Sequence, residues 1–357
     1  MSGKWLYENE QYLEDVRVVA DLELPWERLA SKTVVLSGAT GLIGSFLVDV
    51  LMERNRQYGM KCTVCALGRS EKKAKARFTE HWGNTYLRFA ARDVNRALDL
   101  EPVRADFVLH LASMTHPLQY ATDPIGTIRT NVVGLWNMLE FASAHGAERF
   151  AFASSNEIYG ENRGDAEWFD EAYCGYIDSN TLRAGYPESK RCGEALCQAY
   201  RKQKGMDIVI PRLTRSYGPT MLFSDTKAIS QFIRRAIEGE DIVLKSEGTQ
   251  YYSYTYVADA VSGLLTVLLC GEDGQAYNIA DERSDIMLKD LACILAKCVG
   301  REVVFELPDE TERAGYSRVT KARLDGSRLK GLGWKPQYTI ETGLDRTLRV
   351  LMKRTSD

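Results

Sequence analysis

The 357-residue sequence predicts an α/β protein, a doubly wound parallel sheet with a smaller C-terminal lobe. Three observations carry that expectation. A glycine-rich string, Gly38-Ala39-Thr40-Gly41-Leu42-Ile43-Gly44, stands between a strand-like run and a helix-like one. Far downstream, Tyr186 and Lys190 lie at i and i+4 in Tyr186-Pro187-Glu188-Ser189-Lys190. The length suits one large α/β domain with an appended lobe.

Met1 to Ser31 form an arm ahead of the first strand. Its Trp5, Leu6, Tyr7, Tyr12, Leu13 and Trp26, mixed with acidic residues, predict one or two amphipathic segments. They are expected to pack on the core or on a partner subunit.

Lys32 to Ser37 reads KTVVLS, a β-branched apolar run of the kind that forms a buried parallel strand. After Gly44, SFLVDVLMERN places Phe46, Leu47, Val50 and Leu51 on one helical face. Strand, glycine turn and helix are the setting of a Rossmann dinucleotide-binding fingerprint. Gly38 would allow the tight turn, Gly41 the approach of the pyrophosphate, and Gly44 the packing of helix on strand. Thr40, Leu42 and Ile43 complete the loop at the helix N-terminus, where phosphates are favoured. The spacing is G-x-x-G-x-x-G.

The second strand, Cys62 to Leu67, ends in Gly68-Arg69-Ser70 with no acidic residue. A carboxylate there would accept the ribose 2′-hydroxyl of NAD, whereas an arginine suits the 2′-phosphate of NADP. Arg69 with Ser70 tips the choice towards NADP. NAD remains open, with Arg69 as a solvated strand-end residue.

Tyr186 and Lys190 share one helical face. A free tyrosine titrates near 10, too high for a base at neutral pH. A neighbouring ammonium and a positive nicotinamide ring are expected to favour the phenolate. The pair follows the strand Phe150 to Ala153 and the turn Ser154-Ser155-Asn156-Glu157-Ile158-Tyr159-Gly160. Ser155 would complete the constellation by hydrogen-bonding a substrate hydroxyl, and Lys190 would hold the nicotinamide ribose. The reading is hydride transfer to or from a nicotinamide, with Tyr186 handling the proton.

With these strings in place, the chain resembles the extended short-chain dehydrogenase/reductases, specifically the NAD(P)-dependent nucleotide-sugar epimerase/dehydratase group. The resemblance runs from about Lys32 to the C-terminus, and the likeness is greatest to UDP-glucuronate decarboxylases. His110-Leu111-Ala112-Ser113 looks like the segment beneath the nicotinamide, and Asp93-Val94 falls where the family contacts adenine. Asp123-Pro124-Ile125 through Thr130-Asn131-Val132-Val133-Gly134 looks like its following long helix. Tyr217-Gly218-Pro219 and Tyr256-Val257-Ala258-Asp259-Ala260 match later landmarks.

The resemblance implies Ser155, Glu157, Tyr186 and Lys190 as catalytic residues. It implies Leu111, Ala112, Ser113 and Asn131 as further cofactor contacts, beside the glycine string. Oxidation at C4 of a nucleotide-diphosphate sugar would be the opening step. Asn156 stands where 4,6-dehydratases carry an acid, which argues against dehydration. Glu157 argues against simple 4-epimerases, and decarboxylases carry a Glu there. Two departures are Tyr252, in place of the decarboxylases' arginine, and Arg215, in place of their asparagine. Arg215 would pair with phosphate or a sugar carboxylate. Ser113, Asn156, Arg215 and Tyr252 are therefore the substrate-binding candidates. A net NADPH-dependent reductase and a non-catalytic NADP-sensing protein stand as alternatives.

The implied architecture is a cofactor domain over residues 32–213, completed by 256–280, and a sugar-nucleotide lobe over 214–255 and 281–357. Lys227, Arg234 and Arg235 lie where a helix would present charge to a diphosphate, and Arg318 and Lys321 flank a loop. A homodimer is implied, paired through the helices Asp123–Ala144 and Tyr186–Lys204, with Leu135, Leu139, Phe141, Leu196 and Tyr200 as apolar contacts.

The net charge of −3, with both signs interspersed, offers no basic face for nucleic acid. No apolar stretch reaches membrane-spanning length, and Val261 to Cys270 reads as a buried helix. The start carries no secretory signal, so a cytoplasmic enzyme with reduced thiols is expected. Cys62 and Cys65, three apart on a strand, point to opposite faces and do not chelate one metal. His110 reads as a satisfied strand-end histidine, and no metal is expected.

Overall fold

The strand Thr33–Ser37 is buried along almost its whole length, so its Val34, Val35 and Leu36 serve cores on both faces. That is the burial of a central parallel strand covered by helices on each side. The computed structural model describes residues 3–100, 104–306, 308–310, 313, 316 and 319–353. Arg318, one of the loop candidates, lies outside them.

The main sheet runs in the order Ala276–Ile279, Ile208–Leu213, Arg149–Phe152, Phe107–His110, Thr33–Ser37, Thr63–Gly68, Leu87–Ala91, all parallel. Ser154–Ser155 adds a short pairing beside Ile208–Leu213. The chain winds outward from Thr33–Ser37 to Leu87–Ala91, then crosses back to Phe107–His110 on the other side. The crevice at the carboxyl ends of Thr33–Ser37 and Phe107–His110 is the topological switch point, where open α/β sheets bind ligands.

Cys62 belongs to the core on one face of this sheet and Cys65 to the core on the other. The alternation expected of a strand thus separates the two thiols. The helix Val257–Cys270 is buried through nearly all its length, and none of the described helices is long and apolar enough to cross a membrane.

The long helix expected after Asp123 is broken in character. Pro124–Arg129 and Leu135–Ala144 are α-helical, and Thr130–Gly134 between them is a π turn. Such turns insert a residue and re-aim side chains, often at functional sites.

The smaller lobe is built on Tyr251–Tyr256. This strand pairs in parallel with Arg215–Tyr217 and Lys321–Ala322, and antiparallel with Asp285–Met287. A separate parallel pair joins Ile242–Leu244 to Val303–Phe305.

The arm forms the helices Lys4–Tyr7 and Glu10–Ala20 and the 3-10 turn Trp26–Leu29. It packs on its own core: Leu6, Tyr12, Val16, Val19, Trp26 and Leu29 are buried. Tyr7, Tyr12, Arg77 and His81 all converge on the buried Asp49 carboxylate of the helix Leu42–Tyr58. Asp15 does the same in the second direction, receiving Tyr256 at 2.6 Å and Tyr338 at 2.9 Å. The arm therefore braces the helix that follows the glycine turn.

Candidate active site

Gly38 adopts φ +72°, a left-handed conformation that glycine enters without strain. A Cβ there would stand 2.7 Å from the Ala112 nitrogen, so the glycine turn touches the Leu111-Ala112 backbone across the switch point. A Cβ on Gly44 would meet the Gly38 carbonyl oxygen at 2.3 Å, which forces glycine where helix crosses turn. At Gly41 the same oxygen is the only neighbour, at 3.3 Å, so bare backbone faces the open side. The helix Leu42–Tyr58 begins at this point, with Gly41 as N-cap and no side chain capping it. Its first N–H groups are left for a phosphate. These features fit a dinucleotide pyrophosphate, with Thr40, Leu42 and Ile43 partly exposed around it.

Asp93 and Val94 follow the strand Leu87–Ala91. The Asp93 carboxylate accepts the Asn95 N–H at 3.0 Å, and Val94 is held against Gly134. Arg69 is exposed at the end of the second strand, and the Ser70 hydroxyl caps the helix Glu71–Arg77 through the Lys73 N–H. Ser113 donates to Asn131 at 2.6 Å, and Asn131 donates to Ser189 at 2.8 Å. Asn131 is fully buried in the π turn, behind Ser113.

Ser155, Tyr186 and Lys190 come together at the end of Arg149–Phe152 and the start of the helix Gly185–Lys204. Hydrogen bonding to Ser155 and Ser113 pulls the Tyr186 phenol down. Burial, with the Glu157 carboxylate, outweighs this and pushes it up to about 12. The lowering expected from Lys190 is thus not met in the protein by itself. Burial brings the Lys190 ammonium down to about 7, and its Nζ donates to the Ala153 carbonyl at 2.7 Å. Among the charged groups of the protein, the Arg183 guanidinium also lowers the phenol, without offsetting burial.

His110 donates or accepts through Nδ1 with Ser37 at 2.8 Å. Burial and then the nearby Lys190 push its imidazole down to about 3, so it is neutral. It is a strand-end histidine tied to the first strand.

Two residues escaped the sequence reading. Arg183, on the 3-10 turn Leu182–Ala184, donates through Nη2 to Glu157 Oε2 at 2.5 Å. Its guanidinium lies 4.7 Å from the Tyr120 ring centroid, and that ring stacks on Tyr186 at 4.8 Å. A solitary arginine three residues before the tyrosine carries no periodic signal, and Tyr120 comes from a helix 66 positions away. Arg183 Nε and Nη1 are buried without a hydrogen-bond partner among the described residues. Arg215 Nη1 is in the same condition.

Arg215 lies over the Tyr252 ring, 3.4 Å from its centroid. The Tyr252 hydroxyl is bonded to the Val319 carbonyl, so this side chain presents its face rather than its oxygen. Asn156 is buried at the start of the turn Asn156–Tyr159. The lobe's other basic candidates are engaged elsewhere: Lys227 with Asp225 at 2.7 Å, Arg234 with the Phe223 carbonyl at 2.6 Å, and Arg235 with Glu240 at 3.0 Å.

Residues 34–280 match the NAD dependent epimerase/dehydratase family. The chain belongs to that family. It is an NAD-dependent enzyme of the nucleotide-sugar epimerase/dehydratase type. It is 32% identical over 327 residues to the UDP-glucuronic acid decarboxylase 1 of Xenopus tropicalis, covering 90% of this chain and 72% of that one. To the UDP-glucuronic acid decarboxylase 3 of Arabidopsis thaliana it is 32% identical, covering 87% and 86%. Among solved structures, a dTDP-glucose 4,6-dehydratase of Streptomyces venezuelae with bound NAD superposes with TM-score 0.78 at 24% identity, covering 91% and 98%. The UDP-glucuronic acid 4-epimerase of Bacillus cereus gives 0.76 at 21%, covering 90% and 99%. These structural likenesses support the fold.

Proposed function

We propose that this enzyme acts on a carboxylated nucleotide-diphosphate sugar by transient oxidation at C4, with UDP-glucuronate decarboxylase-type chemistry leading. The observation that carries the reading is a pair of half-buried arginines, Arg183 near Tyr186 and Arg215 over the Tyr252 ring, each with buried N–H groups that lack a partner among the described residues. Arg183 and Arg215 hold unpartnered N–H groups where only one carboxylate, Glu157, is already paired. Buried guanidinium donors without partners are costly, and a planar carboxylate satisfies them two at a time. Arg215 replaces the charge missing at Tyr252 and uses that ring as its platform.

The bound nicotinamide supplies hydride acceptance and return. Tyr186 takes the C4 hydroxyl proton and later gives it back. Ser155 orients that hydroxyl, and Lys190 holds the ribose. A ketone at C4 is β to the C5 carboxylate, so loss of CO₂ leaves an enolate that takes a proton at C5. Arg183 and Glu157 would orient the departing group. The redox balance closes within each cycle, because the hydride returns to C4.

The cofactor is proposed to be NADP in preference to NAD, because Arg69 stands where a carboxylate would bind a free 2′-hydroxyl. That feature also favours a second reading, net reduction of an activated sugar by NADPH. A cytoplasmic homodimer is proposed, with Ile125, Ile128, Val133 and Trp136 forming its apolar contact. These four are exposed along one face of residues 124–144, Ile125 by 79% and Trp136 by 52%. The residues first expected there are not available for it: Leu135, Leu139, Phe141 and Tyr200 are buried in the chain's own core, with Leu196 packed against it.

The test is a mass-resolved assay of the purified protein against UDP-glucuronate, UDP-glucose, dTDP-glucose, GDP-mannose and CDP-glucose, without added reductant and then with NADPH. Loss of CO₂ from UDP-glucuronate is the expected result. Loss of water or a change of C4 configuration without mass change would transfer the enzyme to the dehydratases or epimerases. Turnover that consumes NADPH would make it a reductase. Tyr186→Phe should lower kcat by about 10²–10⁴-fold while retaining cofactor. A non-catalytic protein would be indifferent to that change.

A further inference from the structure

The catalytic tyrosine has little support from its own helix. Tyr186 is the second residue of Gly185–Lys204, which begins without a side-chain cap. A tyrosine ring turns about a broad, two-fold torsion, so its plane is set by the groups that touch its faces. Tyr120 supplies one of them. Its ring stacks on Tyr186 with centroids 4.8 Å apart and planes inclined by 27°. The Arg183 guanidinium lies over the same Tyr120 ring at 4.7 Å and donates to Glu157. The Lys190 ammonium lies over the Tyr186 ring at 6.0 Å. Two rings thus stand stacked, each with a cation against it.

Tyr120 is itself fixed from elsewhere. It lies on the short helix Pro117–Thr122, whose start is tied to the segment that follows Arg215–Tyr217 of the smaller lobe. His116, the residue before that helix, places Nδ1 3.0 Å from Asp225 Oδ1, and the Leu118 N–H donates to the Thr226 hydroxyl at 3.4 Å. The Lys227 ammonium holds the other Asp225 oxygen at 2.7 Å. Burial, then Tyr186 and Glu157, raises the Tyr120 phenol well above its usual value, so it is a neutral ring and not a second base. Among the described residues its hydroxyl has no hydrogen-bond partner, so the ring makes the contact. An aliphatic side chain would fill the same space. Only a ring lies stacked on another ring and also takes a guanidinium on its face.

We propose that Tyr120 is a positioning residue of the reaction: its ring, anchored through Pro117–Thr122 on the smaller lobe, holds the plane of Tyr186 so that the phenol stays aimed at the C4 hydroxyl. Tyr120 acts through Tyr186 and does not itself touch the sugar in this role. The proposal rests on Tyr186 as the proton acceptor in C4 oxidation. Decarboxylation, epimerisation and dehydration share that step, so it does not depend on which of them follows.

The test pairs steady-state kinetics with a resonance of Tyr186, in the full-length wild type, Tyr120→Leu, Tyr120→Phe and His116→Ala. Kinetics use the sugar nucleotide that the wild type converts in the mass-resolved assay. Tyr120→Leu should lower kcat by about ten- to a hundredfold with KM nearly unchanged, because a misplaced reacting group costs the transition state and not substrate binding. Tyr120→Phe keeps the ring and should bring kcat back to within about threefold of wild type. His116→Ala releases the anchor and should lower kcat in the same sense by a smaller factor, which carries the test even where Tyr120→Leu disturbs folding. With tyrosine isotopically labelled at Cζ, the Tyr186 line is the one lost in Tyr186→Phe. It should be single in the wild type and in Tyr120→Phe, and shifted and broadened in Tyr120→Leu and His116→Ala. Wild-type kcat in Tyr120→Leu, or a Tyr186 line that does not move, overturns the proposal. A KM raised equally in Tyr120→Leu and Tyr120→Phe makes Tyr120 a substrate contact and overturns it too. Where the wild type converts none of the sugar nucleotides, the proposed function fails and the Tyr186 line alone decides whether Tyr120 positions it.

Discussion

Arg215 stacks on Tyr252, its guanidinium carbon 3.4 Å from the ring centroid, and the two come from neighbouring strands of the lobe. The tyrosine thus serves as a platform for the Arg215 guanidinium. A desolvated cation–π contact is worth about 2 kcal/mol, or about thirtyfold in affinity. Tyr252→Ala should therefore raise KM for the sugar nucleotide roughly tenfold or more, with kcat changed less. Tyr252→Phe keeps the platform and loses only the bond to Val319, so its KM should stay close to wild type. Equal KM for the two variants in steady-state kinetics would show that the ring does not position Arg215.

The glycine string separates into structural and binding positions. Gly44→Ala drives a Cβ to 2.3 Å from backbone oxygen and should lower the unfolding temperature as well as cofactor affinity. Gly41→Ala meets one atom at 3.3 Å, so the fold should survive while dinucleotide affinity falls. Thermal unfolding and cofactor titration, measured side by side, distinguish the two. The separation fails where both variants melt alike.

His110 makes stability depend on acid. Its folded value is about 3 against an ordinary 6.5, so between these the unfolded chain binds a proton that the native chain refuses. Stability must then fall as pH drops through that window, at most by about 1.4 kcal/mol per pH unit from this group. His110→Asn should flatten the decline between pH 6.5 and 4 in urea unfolding. An unchanged slope would mean that other groups govern the acid limb.

Trp136 is half exposed on the face carrying Ile125, Ile128 and Val133. If this face joins two copies, Trp136→Glu places a charge at a desolvated contact and should convert a dimer to a monomer. Light scattering after gel filtration reads the mass directly. A variant that keeps the wild-type mass would move the interface elsewhere.

A chain of hydrogen bonds through Asn131 connects Ser113 to the Tyr186 backbone. Asn131 ties Ser113 to Ser189, whose hydroxyl in turn donates to the Tyr186 carbonyl at 2.8 Å. Asn131→Ala should lower kcat with little change in KM, because it loosens the placement of Ser113 and Tyr186 without touching substrate. Rescue by Asn131→Ser, which restores one hydrogen-bonding atom, should be partial.

The parts legible in the sequence were those with a local physical signature. The glycine turn declared itself because backbone conformation and close approach leave no alternative to Gly38 and Gly44. The strand before it and the helix after it showed in their apolar periods. Tyr186 and Lys190 were readable because a single helical turn fixes their relation. Cys62 and Cys65 were separable because a strand alternates.

Only the tertiary structure decided what burial and distant contacts control. Whether Leu135 and Phe141 face the core or a partner depends on which side of the helix meets the sheet, and the π turn alters that phase. The phenol of Tyr186 rises to about 12 because the folded pocket excludes water around it and sets Glu157 close by, neither of which i,i+4 spacing reveals. Arg183 reaches Glu157, and Arg215 reaches the Tyr252 ring, through loops and register that no short window contains. Periodicity fixes which residues share an element, while site electrostatics arise from elements meeting, and that is set by the packing of the whole chain.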